Sequence, residues 1–267
     1  MRKEEMMNEL LGSLQKISQD QKMPRCYRDW AFDGIGYARS REDAEGMAFV
    51  ASIFHYGRGE RLPEDIEIFL RRILKEETDR GNGYASYYLG KLMEEGYLEG
   101  REEDIFDLYE DASHKRCRKA YEDLGRLCLS GKGTDIDEEK AFLCFEKNAL
   151  LGSISSLLYL AHMYQEGLFV EKDEEEAFFL YDLAYRMIEK DPDVEQRGEV
   201  FEALSACYLY GKGTLPDYHN ALFYAQMAEA DYWDRRKDGE RGLKEKSAHA
   251  LSLQAEARMM LEEDQED

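Results

Sequence analysis

Apolar residues recur along this chain in two alternating helical patterns. The stretch from Ala120 to Gly152, AYEDLGRLCLSGKGTDIDEEKAFLCFEKNALLG, shows the unit. A first helical pattern runs to Gly131, a turn written Gly-x-Gly follows, and acidic residues open a second helical pattern that ends at Gly152. Apolar positions three or four apart put one face of each segment into a core. Neither segment is wide enough to bury its stripe alone, so the unit predicts neighbours of its own kind. It recurs with starts at Gly46, Ala85, Ala120, Ser156 and Val200, at spacings of 39, 35, 36 and 44 residues. The segment MIEKDPDVEQRG, around Pro192, accounts for the longest spacing.

Within the first helix of each unit, helix A, four positions keep their character. The first holds Gly46, Ala85, Ala120, Ser156 and Val200, and the fifth Val50, Leu89, Leu124, Leu160 and Leu204. The sixth is always small: Ala51, Gly90, Gly125, Ala161, Ser205. The ninth holds Phe54, Met93, Cys128, Tyr164 and Tyr208. Positions one, five, eight and nine then face the core. A mid-helix glycine costs about 1 kcal/mol against alanine, so its recurrence at position six predicts close approach of a second helix. The turn glycines Gly57, Gly96, Gly131, Gly167 and Gly211 occupy the place of a left-handed helix C-cap. Acidic residues at 64–65, 103–104, 137–138, 173–174 and 217 suit the amide-rich start of the second helix, helix B. Helix B carries small or apolar slots led by Ile66, Ile105, Ala141, Ala177 and Ala221.

The ends differ from the array. Residues 1–45 predict an amphipathic helix over 3–20, with Met6, Leu10, Leu11 and Leu14 on one face, a break at Pro24, and a degenerate repeat or cap containing Gly34-Ile35-Gly36. Residues 46–232 form the repeat array. The charged run 234–241 predicts a break, 233–261 a C-terminal capping segment whose helix spans 243–261, and 262–267 an acidic tail. The expected fold is an all-α solenoid of about five helix-turn-helix repeats with helical caps.

Composition narrows the partners. The 58 acidic residues against 36 Lys plus Arg give a formal charge of -22. Such a surface repels phosphate backbones and anionic lipid, and favours a protein or peptide partner of basic character over nucleic acid or membrane. The N-terminus has no continuous apolar segment of the signal-peptide kind, and no run approaches the ~20 apolar residues of a membrane span. Five cysteines without a Cys-x-x-Cys suggest reduced thiols and a cytoplasmic location.

The arrangement A-x-x-x-L-G-x-x-Y-x-x-G-x-G, followed by D-x-x-x-A and a second helix, resembles the Sel-one-like repeat (SLR), a helical hairpin similar to the tetratricopeptide repeat. Ala120, Leu124, Gly125, Gly131, Gly133, Asp137, Ala141, Ala149 and Gly152 match it best. Leu204, Tyr208, Gly211, Gly213, Asp217 and Ala221 match again, and the resemblance covers residues 46–232. Departures are Cys128 in the tyrosine slot, the displaced Gly100, and Glu166-Gly167-Leu168-Phe169, which lacks the second glycine. The resemblance implies a right-handed superhelix whose concave face, lined by helix A, binds a peptide or protein in scaffolding assemblies. A cysteine-rich secreted branch of the family, linked to penicillin binding, implies the alternative of a groove-based hydrolase or small-molecule site. The regular cysteine pairs of that branch are missing here.

Catalytic signatures are weak. Gly131-Lys132-Gly133-Thr134 and Gly211-Lys212-Gly213-Thr214 echo a phosphate loop, but the earlier glycine is missing and both lie between helices, so they read as repeat turns. The five histidines and five cysteines show no metal-ligand spacing, no nucleophile comes with a visible base, and no cofactor is expected. The candidate surface is the stripe at helix A positions four, seven and eleven. From it, Phe49, Tyr56, Tyr88, Lys91, Arg126, Tyr159, His162 and Tyr210 are the expected partner-binding residues, with Tyr88, Lys91, Arg126 and Tyr159 at the centre.

Overall fold

The computed structural model describes residues 64–264 apart from 97, 191–195, 238, 239 and 241, together with positions 15 and 19. The expected features at 1–63, including Phe49, Tyr56 and the helix over 3–20, lie outside the described residues except for those two positions. Ten helices follow: α1 (Glu64–Asp79), α2 (Gly83–Glu94), α3 (Glu102–His114), α4 (Ala120–Ser130), α5 (Glu138–Leu150), α6 (Ile154–Glu166), α7 (Glu174–Ile188), α8 (Arg197–Tyr210), α9 (Tyr218–Lys237) and α10 (Leu243–Glu263). No strand occurs among the described residues, and none of these helices is long and apolar enough to cross a membrane.

The chain divides into two compact units, residues 1–137 and 138–267. In the first, α1 packs on α2, α2 on α3 and α3 on α4. In the second, each helix from α5 to α10 packs on the next, and α10 also touches α8. Helices α2, α4, α6 and α8 occupy the helix A places and α1, α3, α5, α7 and α9 the helix B places.

The helix A pattern has a direct packing counterpart. Ala85, Ala120, Ser156 and Val200 at position one are fully buried, as is the small sixth position where it is Ala161 or Ser205. A Cβ on Gly90 would stand 2.9 Å from the Tyr109 ring, so α3 crosses α2 at the residue without a side chain. At the same position in α8, Ser205 donates a 2.8 Å hydrogen bond to the Ala221 carbonyl of α9. Position eight is buried in all four helices (Leu92, Leu127, Met163, Cys207). Position nine is buried only as Cys128; Met93, Tyr164 and Tyr208 are half-buried at the edge of the core, not within it.

The turns close alike. Gly131, Gly167 and Gly211 take left-handed conformations with φ of +66°, +73° and +66°. The next amide donates back to the helix at Leu127, Met163 and Cys207. The amide of Asp137, Asp173 or Asp217 then donates to the position-nine carbonyl of Cys128, Tyr164 or Tyr208 at 2.9–3.0 Å. Asp173 and Asp217 accept from the amides of Glu176 and Asn220, capping α7 and α9. Several of the carbonyls and amides orphaned at the helix ends are thereby paired within the turn.

The charged run after the array carries the end of α9 and leads to the start of α10. Helix α9 continues through Arg236 and Lys237. Arg235 reaches Glu240 at 2.6 Å, Glu199 at 3.1 Å and Asp231 at 3.3 Å, so the charges clamp the end of α9, and the break between helices falls after Lys237 and before Leu243. Helix α10 is held on α8 and α9 by Leu243, Ala250, Leu253 and Ala257, with Lys246 paired to Glu199.

Candidate functional site

Consecutive helix A elements of the first unit present positions four, seven and ten to one another. Position seven of α2 is Lys91 and position ten is Glu94; positions four and seven of α4 are Asp123 and Arg126. Each cation meets one carboxylate on its own helix and one on the other. Lys91 Nζ lies 3.5 Å from Glu94 and 3.3 Å from Asp123, and Arg126 Nη2 lies 3.2 Å from Asp123 and pairs with Glu94 Oε1. Two tyrosine hydroxyls complete the square: Tyr109 of α3 donates to Glu94 at 2.8 Å, and Tyr87 of α2 donates to Asp123 at 3.1 Å.

The carboxylates are the more buried members, with side chains 11% and 14% exposed, against 30% for Lys91 and 36% for Arg126. The cations therefore face outward over a buried acidic pair. Burial pushes the Glu94 carboxyl up, but the Arg126 hydrogen bond, Lys91 and the Tyr109 hydroxyl outweigh it and leave it below the ordinary value. Burial pulls Lys91 and Arg126 down, and the same carboxylates overcome it and hold both above their ordinary values. Burial first, then Asp123, raises the Tyr87 and Tyr109 phenols, which stay protonated donors.

The remaining expected residues divide. Tyr88 is only 6% exposed and is packing: its ring meets Tyr87 edge-on at 5.2 Å, and its hydroxyl accepts from Lys119 at 2.8 Å. It therefore offers no ring to a partner, because position four of α2 turns toward α4 where Lys119 covers it. Tyr159 is half-buried, stacked at 4.5 Å on Phe145 of α5. His162 is exposed on α6. Tyr210 is half-exposed at the end of α8, with Lys212 5.9 Å from its ring and its hydroxyl 2.9 Å from Glu256 of α10. Lys91 and Arg126 are brought together in the first unit, while Tyr159, His162 and Tyr210 belong to the second. Glu94, Tyr87 and Tyr109 were missed in the sequence. Glu94 carried a signal, since it stands three residues beyond Lys91, the spacing of a helical ion pair. The tyrosines fell outside the stripe and carried none.

The two Gly-Lys-Gly-Thr turns lie against the preceding helix B. Lys132 lies 3.8 Å from Glu102, and a Cβ on Gly133 would stand 2.1 Å from the Glu102 carbonyl oxygen. On Gly213 it would stand 1.8 Å from the Glu174 carbonyl oxygen. The second glycine is there for close approach of the turn to the preceding helix B.

A family model described as Sel1 repeat matches residues 44–68, 118–153, 154–187 and 203–230. Among solved structures, the chain is similar to a Sel1 repeat protein from Oxalobacter formigenes, at 20% identity and a TM-score of 0.58, over 85% of this chain and 96% of that one. It also aligns with a protective antigen present in uropathogenic Escherichia coli strains that displays an SLR fold, at 18% identity and a TM-score of 0.41, over 86% of this chain and 55% of that one. No curated protein matches it in sequence. The first structural likeness is one of fold, and with the consecutive helix packing it makes the all-α repeat solenoid the observed fold class.

Proposed function

We propose, from the premise that this chain is a member of the Sel1-repeat family, that it is a non-enzymatic scaffold holding a peptide or protein partner along the helix A stripe, the concave face of such a solenoid. Sel1-repeat proteins are in general protein-interaction scaffolds on a non-catalytic fold. The observation that carries the reading is the meeting of Lys91 and Arg126 over a shared carboxylate pair, which fixes two outward-facing cations in place before any partner arrives. A flexible surface lysine or arginine loses side-chain freedom on binding; these two have already lost it. Tyr159, His162 and Tyr210 extend the same positions in the second unit, and Phe49 and Tyr56 are their expected counterparts in the first repeat.

Proton-transfer chemistry is disfavoured by the direction of the shifts. A general acid or base works with a value moved toward neutrality. Glu94 is moved down and Lys91 and Arg126 up, so each is held more firmly in its charged form. The hydrolase-like alternative gains nothing from this site. Cys117, Cys128, Cys144 and Cys207 are buried, and burial pushes the Cys207 thiol up to about 12, which suits inert thiols of a cytoplasmic protein.

Affinity purification with mass spectrometry tests the reading. A Lys91→Ala, Arg126→Ala, Tyr159→Ala, His162→Ala variant that keeps its helical circular dichroism is expected to lose the partner set captured by the parent chain. Capture of the same set would sink the assignment of the stripe.

A further inference from the structure

The turn between α6 and α7 departs from its two sister turns in a way that points to a second binding site. After Gly131 and Gly211 the next left-handed residue is glycine, Gly133 at φ +74° and Gly213 at φ +69°. After Gly167 it is Phe169, at φ +63°. A bulky residue in that region is strained, and the chain has a strain-free solution that it uses twice. The ring recovers little by burial, since Phe169 is 48% exposed.

Its neighbours are aromatic. Phe142 of α5 meets Tyr164 of α6 at 5.8 Å and 76°, the same edge-on pair that Phe178 and Tyr208 make one repeat later at 5.5 Å and 85°. Gly213 sits beside the second pair, where an added Cβ would come 2.8 Å from Phe178. Phe169 sits beside the first, its ring 5.6 Å from Phe142. The chain has thus added a third, half-exposed ring to a pair that elsewhere is closed by glycine. Carboxylates act on the turn and on Tyr164. Glu138 accepts from the Phe169 amide at 2.8 Å, and after burial the charges of Glu176, Glu146 and Asp173 all push the Tyr164 phenol upward.

We infer that Phe142, Tyr164 and Phe169 form a recess for a cationic side chain, Lys or Arg, of a partner protein. Ring faces attract a cation, and those carboxylates and the net charge of -22 select it over an anionic or neutral group. The recess uses position nine and the turn, not positions four and seven of the stripe, so it stands or falls apart from the scaffold reading above.

The probe is an acetylated tetra-arginine amide titrated into the full chain at low salt, followed by aromatic carbon–proton spectra of phenylalanine- and tyrosine-labelled protein. Shifts at Phe142, Tyr164 and Phe169 are expected. Phe169→Gly, which installs the sister residue, should weaken binding at least fivefold with a melting temperature equal to or above the parent's. Phe169→Leu, which keeps the strain and apolar bulk without the ring face, should weaken it similarly. Glu146→Gln with Glu176→Gln should weaken it about threefold. Parent-like affinity in Phe169→Gly would assign the binding to diffuse acidic charge, and in Phe169→Leu to apolar docking. A lowered melting point in Phe169→Gly would make the ring a structural staple, and concentration-dependent shifts at these rings without peptide would make the occupant a second copy. Each of these overturns the proposal. An Arg126→Ala chain that still binds tetra-arginine at parent affinity is expected.

Discussion

In the first unit, neighbouring helix A elements are joined by charge: Lys91 and Glu94 of α2 interlock with Asp123 and Arg126 of α4, and two tyrosine hydroxyls seal the carboxylates. In the second, helix A is joined by rings to the helices B on either side of it. Phe178 of α7 meets Tyr208 of α8 edge-on, and Tyr208 stacks on Tyr224 of α9 at 5.8 Å and 5°. Both units nevertheless close their turns by the same device, a second glycine over a helix B carbonyl, Gly133 over Glu102 and Gly213 over Glu174. Backbone approach is thus common to the repeat, while the side-chain chemistry laid over it varies. A solenoid permits this because each repeat answers only to its neighbours.

The common device gives the largest expected effect. Gly133→Ala and Gly213→Ala each force a Cβ to within about 2 Å of a carbonyl oxygen at a positive φ, and each should cost about 3 kcal/mol in thermal or urea unfolding. Equal losses in the two would support a shared architecture; a loss in one alone would break the comparison at its base. Next comes the ionic side. Glu94→Ala leaves Arg126 and Lys91 with one carboxylate between them over a half-buried site and should cost about 2 kcal/mol. A double-mutant cycle with Arg126→Ala should show strong coupling, because the pair shares one contact. On the aromatic side, Tyr208→Leu keeps the apolar bulk but loses two ring pairs, and should cost about 1 kcal/mol, insensitive to salt.

How much of this was legible depended on whether a property was periodic. The small sixth residue, the capping aspartates and the left-handed first glycine recur at fixed offsets, and each has its physical cause within one hairpin; among the described residues the helices fell where the pattern placed them. The ion-pair square was half legible. Lys91 and Arg126 stood at equivalent positions, but Glu94 lies outside the stripe, and Tyr109 reaches it from a different helix. The exposure of Tyr88 could not be read at all, since Lys119 covers it from a residue between repeats. Phe169 looked like a turn missing a glycine. Only its φ and its contact with Phe142 make it an aromatic addition.

The smallest effect is also the one that separates charge from shape. The folded Glu94 carboxyl lies below its ordinary value of 4.5, because Arg126, Lys91 and Tyr109 together outweigh burial. A depressed carboxyl contributes stability that is present above the unfolded value and is lost as pH falls through the folded one. The advantage of the parent chain over Glu94→Gln should therefore be constant from neutrality to about pH 5 and shrink below 4.5. Glutamine keeps the shape and can still accept from Tyr109, so the part of the advantage that vanishes in acid is the ionic part. Tyr208→Leu should show no such trend over the same range, since neither leucine nor a protonated phenol titrates there. Parallel pH profiles for the two variants would mean that the square holds α2 to α4 by packing, and the contrast between an ionic and an aromatic unit would dissolve.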